Sequence, residues 1–233
     1  MKIFDNLYCI IINKSTDYTE IDKMMQSIKP FGFRKIYYVA DRCSDDFNNC
    51  LRNYSLDNLV CLFNCEGEGR KTSSLRNLPI KTIMSEDPLA SIVFLDGDRY
   101  ITSYNNLDIT KNWVFNVEGS EKTMISEEDK FEVDNKYYSA GIHLNNKTVV
   151  NLLETYGYIF DESLEKTWGI EDLDLGNRLI KFREDTGDLD FDYQYAPGIK
   201  LAGNYNYGYK NQLEEAFNIA TLIGIEMKRD SYF

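Results

Sequence analysis

Histidine is almost absent from this chain: one residue, His143, stands in 233, and a lone histidine on an expected strand is a packed core residue before it is a ligand. Positive charge is scarce too. Against 38 Asp and Glu there are 26 Lys and Arg, a formal net charge of −12 and a pI near 4.6. That balance excludes a general affinity for nucleic acid or for an anionic membrane surface. Long apolar runs are missing. The N-terminal stretch Leu7 to Ile12 is too short for a signal-peptide core and follows Asp5, so neither a targeting segment nor a transmembrane anchor is expected. Cysteine is confined to Cys9, Cys43, Cys50, Cys61 and Cys65, an odd set without a Cys-x-x-Cys pair. Free buried thiols in a reducing, cytoplasmic setting account for it, and the spacing of the last four suits zinc poorly.

Acidic residues are what the chain has in excess, and some are placed. The segment Ser91-Ile-Val-Phe-Leu-Asp96-Gly97-Asp98 reads as a strand covered on both faces that runs into two carboxylates separated by one glycine. In an open α/β sheet, ligands bind at the carboxyl ends of strands. Glycine between the acids permits a tight turn and a close approach. Two hard oxygen donors at such an edge suit Mg²⁺ or Mn²⁺ shared with phosphate oxygens. The competing reading is an ordinary Asp-Gly turn without chemistry. An acidic protein that handles phosphate needs a local positive device, and Arg70, Lys71 and Arg76 form the densest basic cluster.

Strand and helix signals alternate through the first hundred residues. Strands are expected at Leu7–Ile12, Lys35–Val39, Leu59–Phe63 and Ile92–Leu95. Between them lie a helix capped by Asp17, a short helix capped by Ser44, and a helical stretch from Thr72 to Met84 that Pro79 kinks or splits. This β-α-β order predicts a mostly parallel sheet with crossover helices. In the second half, strands are expected at Trp113–Val117 and Tyr137–Leu144, the latter carrying Gly141, a sign of close approach. Helices are expected over Thr148–Tyr156 and Ile170–Phe182, with Asp174 and Arg178 paired across one turn, and a last amphipathic helix from Asn211 to Met227. Glu118 to Asn135 reads as a polar loop. Asp188, Asp190 and Asp192 fail as a calcium loop, and their period of two suits one exposed strand face. With no repeat or low-complexity linker, one domain over 1–233 is expected.

Four segments in order carry a resemblance. Val39-Ala-Asp41-Arg-Cys-Ser44-Asp45-Asp46 is similar to an Asp-Asp-Gly-Ser-x-Asp segment, with Ala40 replacing the first acid. Gly69-Arg-Lys71-Thr-Ser-Ser-Leu-Arg76-Asn77 looks like Gly-Lys-x-x-Ala-Arg-Asn, and Asp96-Gly-Asp98 like an Asp-x-Asp metal motif. Trp168-Gly-Ile-Glu171-Asp172-Leu-Asp174-Leu-Gly-Asn-Arg178 looks like the Trp-Gly-x-Glu-Asp-x-Asp-Leu-x-x-Arg segment of galactosyl- and N-acetylgalactosaminyl-transferases, with Ser139-Ala-Gly141 preceding it in the matching order. Together they resemble the nucleotide-sugar glycosyltransferases of the GT-A fold, family 2 and its relatives.

That resemblance implies a GT-A type α/β fold with a Rossmann-like central sheet, its nucleotide-binding half at 1–110 and its acceptor-binding half at 111–233, and a metal-dependent transfer of a hexose from a nucleotide-sugar, best matched by a uridine diphosphate donor, to a hydroxyl of a glycan or another acceptor. It assigns Asp41 to the donor base, Lys71 and Arg76 to the base and diphosphate, and Asp98 with Asp96 to Mn²⁺ or Mg²⁺. Gly141 and Trp168 would lie along the sugar. Asp172 would be the general base of an inverting displacement, and Glu171 would bind a hydroxyl. Each has a plainer reading: Asp41 as a helix cap, Arg76 and Lys71 on a solvated helix face, Glu171 and Asp172 as favourable charges in a first turn, Trp168 in the core. The pattern also departs in places, since the third metal ligand of many relatives, a histidine, is missing from Pro197 to Asn204. A sugar-nucleotidyltransferase is the alternative enzyme, but it needs a glycine-rich loop where this chain has Asn13-Lys14-Ser15-Thr16. A non-catalytic nucleotide- or sugar-binding domain is the alternative outside enzymes.

Overall fold

The computed structural model describes residues 5–13, 18–54, 56–64, 71–103, 107–117, 141–164 and 170–203. Trp168 and Gly169, the segment before Lys71, Asp17, the Glu118 to Asn135 stretch and the helix expected after Asn211 all lie outside them.

The elements are β1 (Leu7–Asn13), α1 (Tyr18–Ile28), β2 (Lys35–Asp41), α2 (Asp45–Arg52), β3 (Leu59–Asn64), α3 (Thr72–Asn77), α4 (Ile80–Glu86), β4 (Ser91–Asp96), β5 (Arg99–Ser103), β6 (Asn112–Val117), β7 (Gly141–Leu144), α5 (Asn146–Tyr156), α6 (Ile170–Thr186) and β8 (Tyr193–Gly203). They build one eight-stranded sheet in the order β3-β2-β1-β4-β7-β6-β8-β5. The four strands from β3 to β4 are parallel, as the alternating β-α signal requires. β7 then joins β4 antiparallel, β6 joins β7 antiparallel, β8 lies parallel to β6, and β5 closes the order antiparallel to β8.

Strand alternation divides the core into two layers. Cys9, Ile11, Tyr38, Val93 and Leu95 point to the layer filled by Met24, Met25 and Ile28 of α1 and Phe47 of α2. Tyr8, Ile10, Tyr37, Ile92 and Phe94 point to the other, where they meet Ile83, Val149, Leu152, Leu175 and Leu179. Burying side chains of this size contributes about 1.5–3 kcal/mol each. The uninterrupted apolar runs of β1 and β4 therefore reflect coverage on both faces.

Local chemistry fixes the ends. The Ser44 side chain accepts from the Phe47 amide at 3.2 Å and caps α2, so Asp41 is left free of that duty. Pro79 ends one helix and opens the next: α3 stops at Asn77 and α4 starts at Ile80, the split its ring demands. Asn145 caps α5 by accepting from Thr148, so that helix begins at Asn146. Asp174 pairs with Arg178 at 2.7 Å on α6.

One expectation is corrected. Asp188, Asp190 and Asp192 do not form a strand face: Asp188 caps a single 3₁₀ turn at Leu189–Phe191, accepting from Asp190 N at 2.9 Å, and β8 begins only at Tyr193. A short carboxylate competes well for nearby amides, which favours turns over ladders. The acids instead pair with Lys111, Lys147 and Arg183. The region from Pro197 to Gly203, where the expected histidine is missing, is part of β8, with Gly198 at φ +75° where its pairing to β6 shifts register.

Cys9, Cys43, Cys50 and Cys61 are free thiols, and burial drives the Cys9 pKa upward. Among the described residues no helix is long and apolar enough to cross a membrane.

Candidate active site at the carboxyl edge of the sheet

Because β1, β2 and β4 are parallel, their last residues, Asn13, Asp41 and Asp96, come out on one edge. The chain turns there at Gly97, whose amide donates to Ile12 O at 2.8 Å. A Cβ at Gly97 would lie 2.4 Å from the Asn13 Cβ, so only glycine fits over that buried side chain. Asn13 is itself held by a hydrogen bond to the Tyr38 hydroxyl. The turn thereby fixes how Asp96 and Asp98 leave the sheet.

Opposite Asp96 stands the first turn of α6, with Glu171 and Asp172, both buried. Arg76, from the last turn of α3, fills the space between. Its guanidinium is 3% exposed, donates from Nη2 to Asp96 Oδ1 at 2.9 Å and from Nη1 to Asp172 Oδ1 at 3.0 Å, and lies 3.6 Å from Glu171 Oε1. Its Cζ sits 4.9 Å from the centre of the Phe160 ring. Burial works against the charge, but Asp172, Asp96 and Glu171 outweigh it and raise the guanidinium pKa further.

Glu171 behaves oppositely. Burial first, and then the Asp172 charge, raise its pKa well above the carboxylate range, with Arg76 only partly offsetting them. Its Oε2 is buried with no hydrogen-bond partner among the described residues. A carboxyl in that position favours its protonated form. One acid held beside a guanidinium and its neighbour pushed toward neutrality is an arrangement suited to proton transfer.

The other expected residues are distributed around this centre. Asp98 projects from the turn with its side chain 43% exposed and 3.5 Å from Arg99 Nε. Asp41 is buried at the end of β2, where it accepts from Arg42 Nε at 2.9 Å, Arg42 Nη2 at 2.6 Å and Asn64 Nδ2 at 2.8 Å. Lys71 opens α3 and does not cap it with its side chain. Gly141 is buried opposite Leu95 on β7, and a Cβ there would meet Leu201 Cδ1 at 2.7 Å and Phe115 Cδ2 at 2.8 Å, so side-chain packing already demands glycine. Trp168 falls outside the described residues. His143 is remote from the edge: it pairs with Val93, donates from Nδ1 to Lys111 O at 2.8 Å, and burial pushes its pKa down to about 4.

Arg76 departs from the solvated helix face that charge alone suggests. Sequence reasoning also missed Arg42, held at φ +50° while it forks onto its neighbour Asp41, and Phe160, whose ring underlies Arg76. Arg42 was visible within the Asp41 segment, but nothing in the sequence around Phe160 pointed to the site.

For a divalent cation the donors are right in kind and few in number. Asp98 is accessible, Arg76 holds Asp96 through Oδ1, and among the described residues no group of three or more His, Cys, Asp or Glu is placed to hold a metal ion. The set suits a cation that takes its remaining ligands from donor phosphates and water.

No protein-family model matches the chain, and no curated protein sequence does either. Solved structures do. S. aureus TarS residues 1–349 in complex with UDP-GlcNAc aligns with a TM-score of 0.58 at 13% identity, covering 94% of this chain and 65% of that one. The same protein in complex with UDP gives 0.56 at 13% identity, covering 92% and 64%. This chain thus spans a little under two thirds of the length of those structures. At such identity the likeness shows the fold, which is the GT-A type α/β arrangement expected from the sequence.

Proposed function

We propose that this chain is a glycosyltransferase that moves a hexose from a uridine diphosphate donor to an acceptor hydroxyl. One observation carries the reading: Asp96 and Asp172, distant in sequence, converge on one buried guanidinium at the sheet edge where this fold class binds ligands. The solved structures of like fold that carry UDP or UDP-GlcNAc support the choice of donor.

In this reading Asp172 takes the proton of the acceptor hydroxyl as the hydroxyl oxygen attacks the anomeric carbon. The bond from that carbon to the diphosphate oxygen breaks, and the electron pair leaves with the nucleotide. Glu171, bearing its proton, donates a hydrogen bond to a ligand hydroxyl. Asp41 and Arg42 offer an acceptor and a donor to the base. By the sequence resemblance Lys71 would meet the diphosphate and Trp168 would meet a sugar ring. Mn²⁺ or Mg²⁺ held by Asp98 and Asp96 would neutralise charge gathering on the departing diphosphate.

The test is a panel of nucleotide-sugars assayed for transfer and hydrolysis, before and after chelation. Turnover with a uridine diphosphate hexose that chelation removes and Mn²⁺ restores is the expected result. Equal turnover after chelation overturns the metal role. UDP binding without turnover of any donor assigns the chain to the non-catalytic alternative.

A further inference from the structure

We propose that Arg76 is the positioning residue of the transfer reaction: it sets the base Asp172 at a fixed distance and bearing from the donor-side acid Asp96, instead of gripping the donor. This deepens the transferase reading above and rests on it.

The geometry is that of a tie between two elements. One nitrogen of the fork reaches the end of β4 and the other the first turn of α6, so a single planar group spans both acids. Only a guanidinium presents rigid, diverging N–H groups for such a span; an ammonium offers a point charge. The supports beneath it are equally fixed. Asn77, the next residue, donates to Phe160 O at 2.7 Å and accepts from Phe160 N at 3.1 Å. Arg178 of α6 donates to Ile159 O at 2.6 Å while paired with Asp174. The 159–160 segment is therefore clasped by α3 on one side and α6 on the other, with the Phe160 ring under the Arg76 plane. Asp172 faces Arg76 from α3 and its own neighbour Glu171.

A donor diphosphate that claimed Arg76 would have to pull it from two carboxylates, stripping the buried Asp172 of this cation. Breaking a buried ion pair in this way is strongly unfavourable. The same guanidinium that looks like a donor ligand in the sequence is committed to the base in the fold.

The test uses Arg76→Lys and Arg76→Gln in the whole chain, with UDP affinity measured by calorimetry in the presence of Mn²⁺ and kcat measured with a uridine diphosphate hexose. The expected result is a kcat lowered about 100-fold in Arg76→Gln, as misplacement of a reacting group by an ångström produces. UDP affinity stays unchanged, and Arg76→Lys restores part of kcat. UDP affinity falling in step with kcat makes Arg76 a donor ligand and overturns the proposal. Parallel loss of kcat, UDP affinity and melting temperature in both variants reduces it to a structural residue and does the same.

A second arm needs no activity. Asp172→Asn is made alone and in the Arg76→Gln background, and melting temperatures are compared. The double variant is expected to melt above Arg76→Gln, because it removes a buried carboxylate that has lost the Arg76 cation. Transfer by the wild-type chain with an additive cycle overturns the positioning role alone. No transfer with any donor, beside a coupled cycle, overturns the transferase reading and the role that depends on it.

Discussion

Asp172 accepts a hydrogen bond from Arg76 at 3.0 Å although 96 positions separate them in the chain. The contact turns two motifs into one centre: the acid of α6 and the acids after β4 share a boundary condition neither helix nor strand could supply alone. It also makes the base distinguishable by experiment from the donor side.

Asp172→Asn is expected to lower kcat by about 10²–10⁴-fold, the span typical of a lost general base, with UDP affinity near normal. The amide keeps the side-chain volume and an acceptor oxygen for Arg76. Steady-state kinetics and calorimetry on one preparation check it, and loss of UDP binding reassigns the residue to the donor.

Asp98→Asn should weaken the response to Mn²⁺ without lowering stability. The side chain is 43% exposed and pairs with Arg99 Nε at 3.5 Å, and an ion pair this open to solvent contributes little to stability. The check is a Mn²⁺ titration of transfer alongside a thermal melt. Unaltered Mn²⁺ dependence removes Asp98 from the metal set.

Gly97→Ala should destabilise by about 1–3 kcal/mol, the range for forcing a methyl group into a packed site. The added Cβ would stand 2.4 Å from the Asn13 Cβ and 2.6 Å from its Cγ, atoms near the backbone that cannot swing away. Urea midpoints measure the loss, and an unchanged midpoint shows that the turn relaxes around the added methyl group.

His143 predicts acid lability. Its pKa falls from 6.5 to about 4 on folding, with burial the leading cause. Below 6.5 the unfolded chain takes up the proton and the folded chain does not, so stability declines as pH falls toward 4. The full effect is about 3 kcal/mol at 1.36 kcal/mol per pKa unit. Denaturation midpoints of the wild type and His143→Asn across this window give the comparison: the variant should lack that share of the slope.

The readable parts of this chain were those where one residue pattern has one physical solution. Apolar runs buried on both faces gave β1, β2 and β4, Ser44 announced α2, and Pro79 announced a break that the structure resolves into two helices. β5 and β8 escaped because they are mixed in polarity, and β8 carries Pro197, Gly198 and a register shift, features that read as loop in isolation. At the site, the acids were visible as motifs, but their convergence depends on tertiary packing. The same holds for Arg76, whose inward direction follows from where α6 docks, and for Gly97, whose need for glycine lies in Asn13 across the strand boundary.

Cys9 lies fully buried on β1, between β2 and β4, while Cys43, Cys50 and Cys61 are half-covered. A thiol reagent can meet Cys9 only after the helical layer of α1 and α2 has come away from the sheet, so its alkylation rate clocks that opening. The chain carries its own gauge of cooperative unfolding, readable by mass without any label being engineered into it.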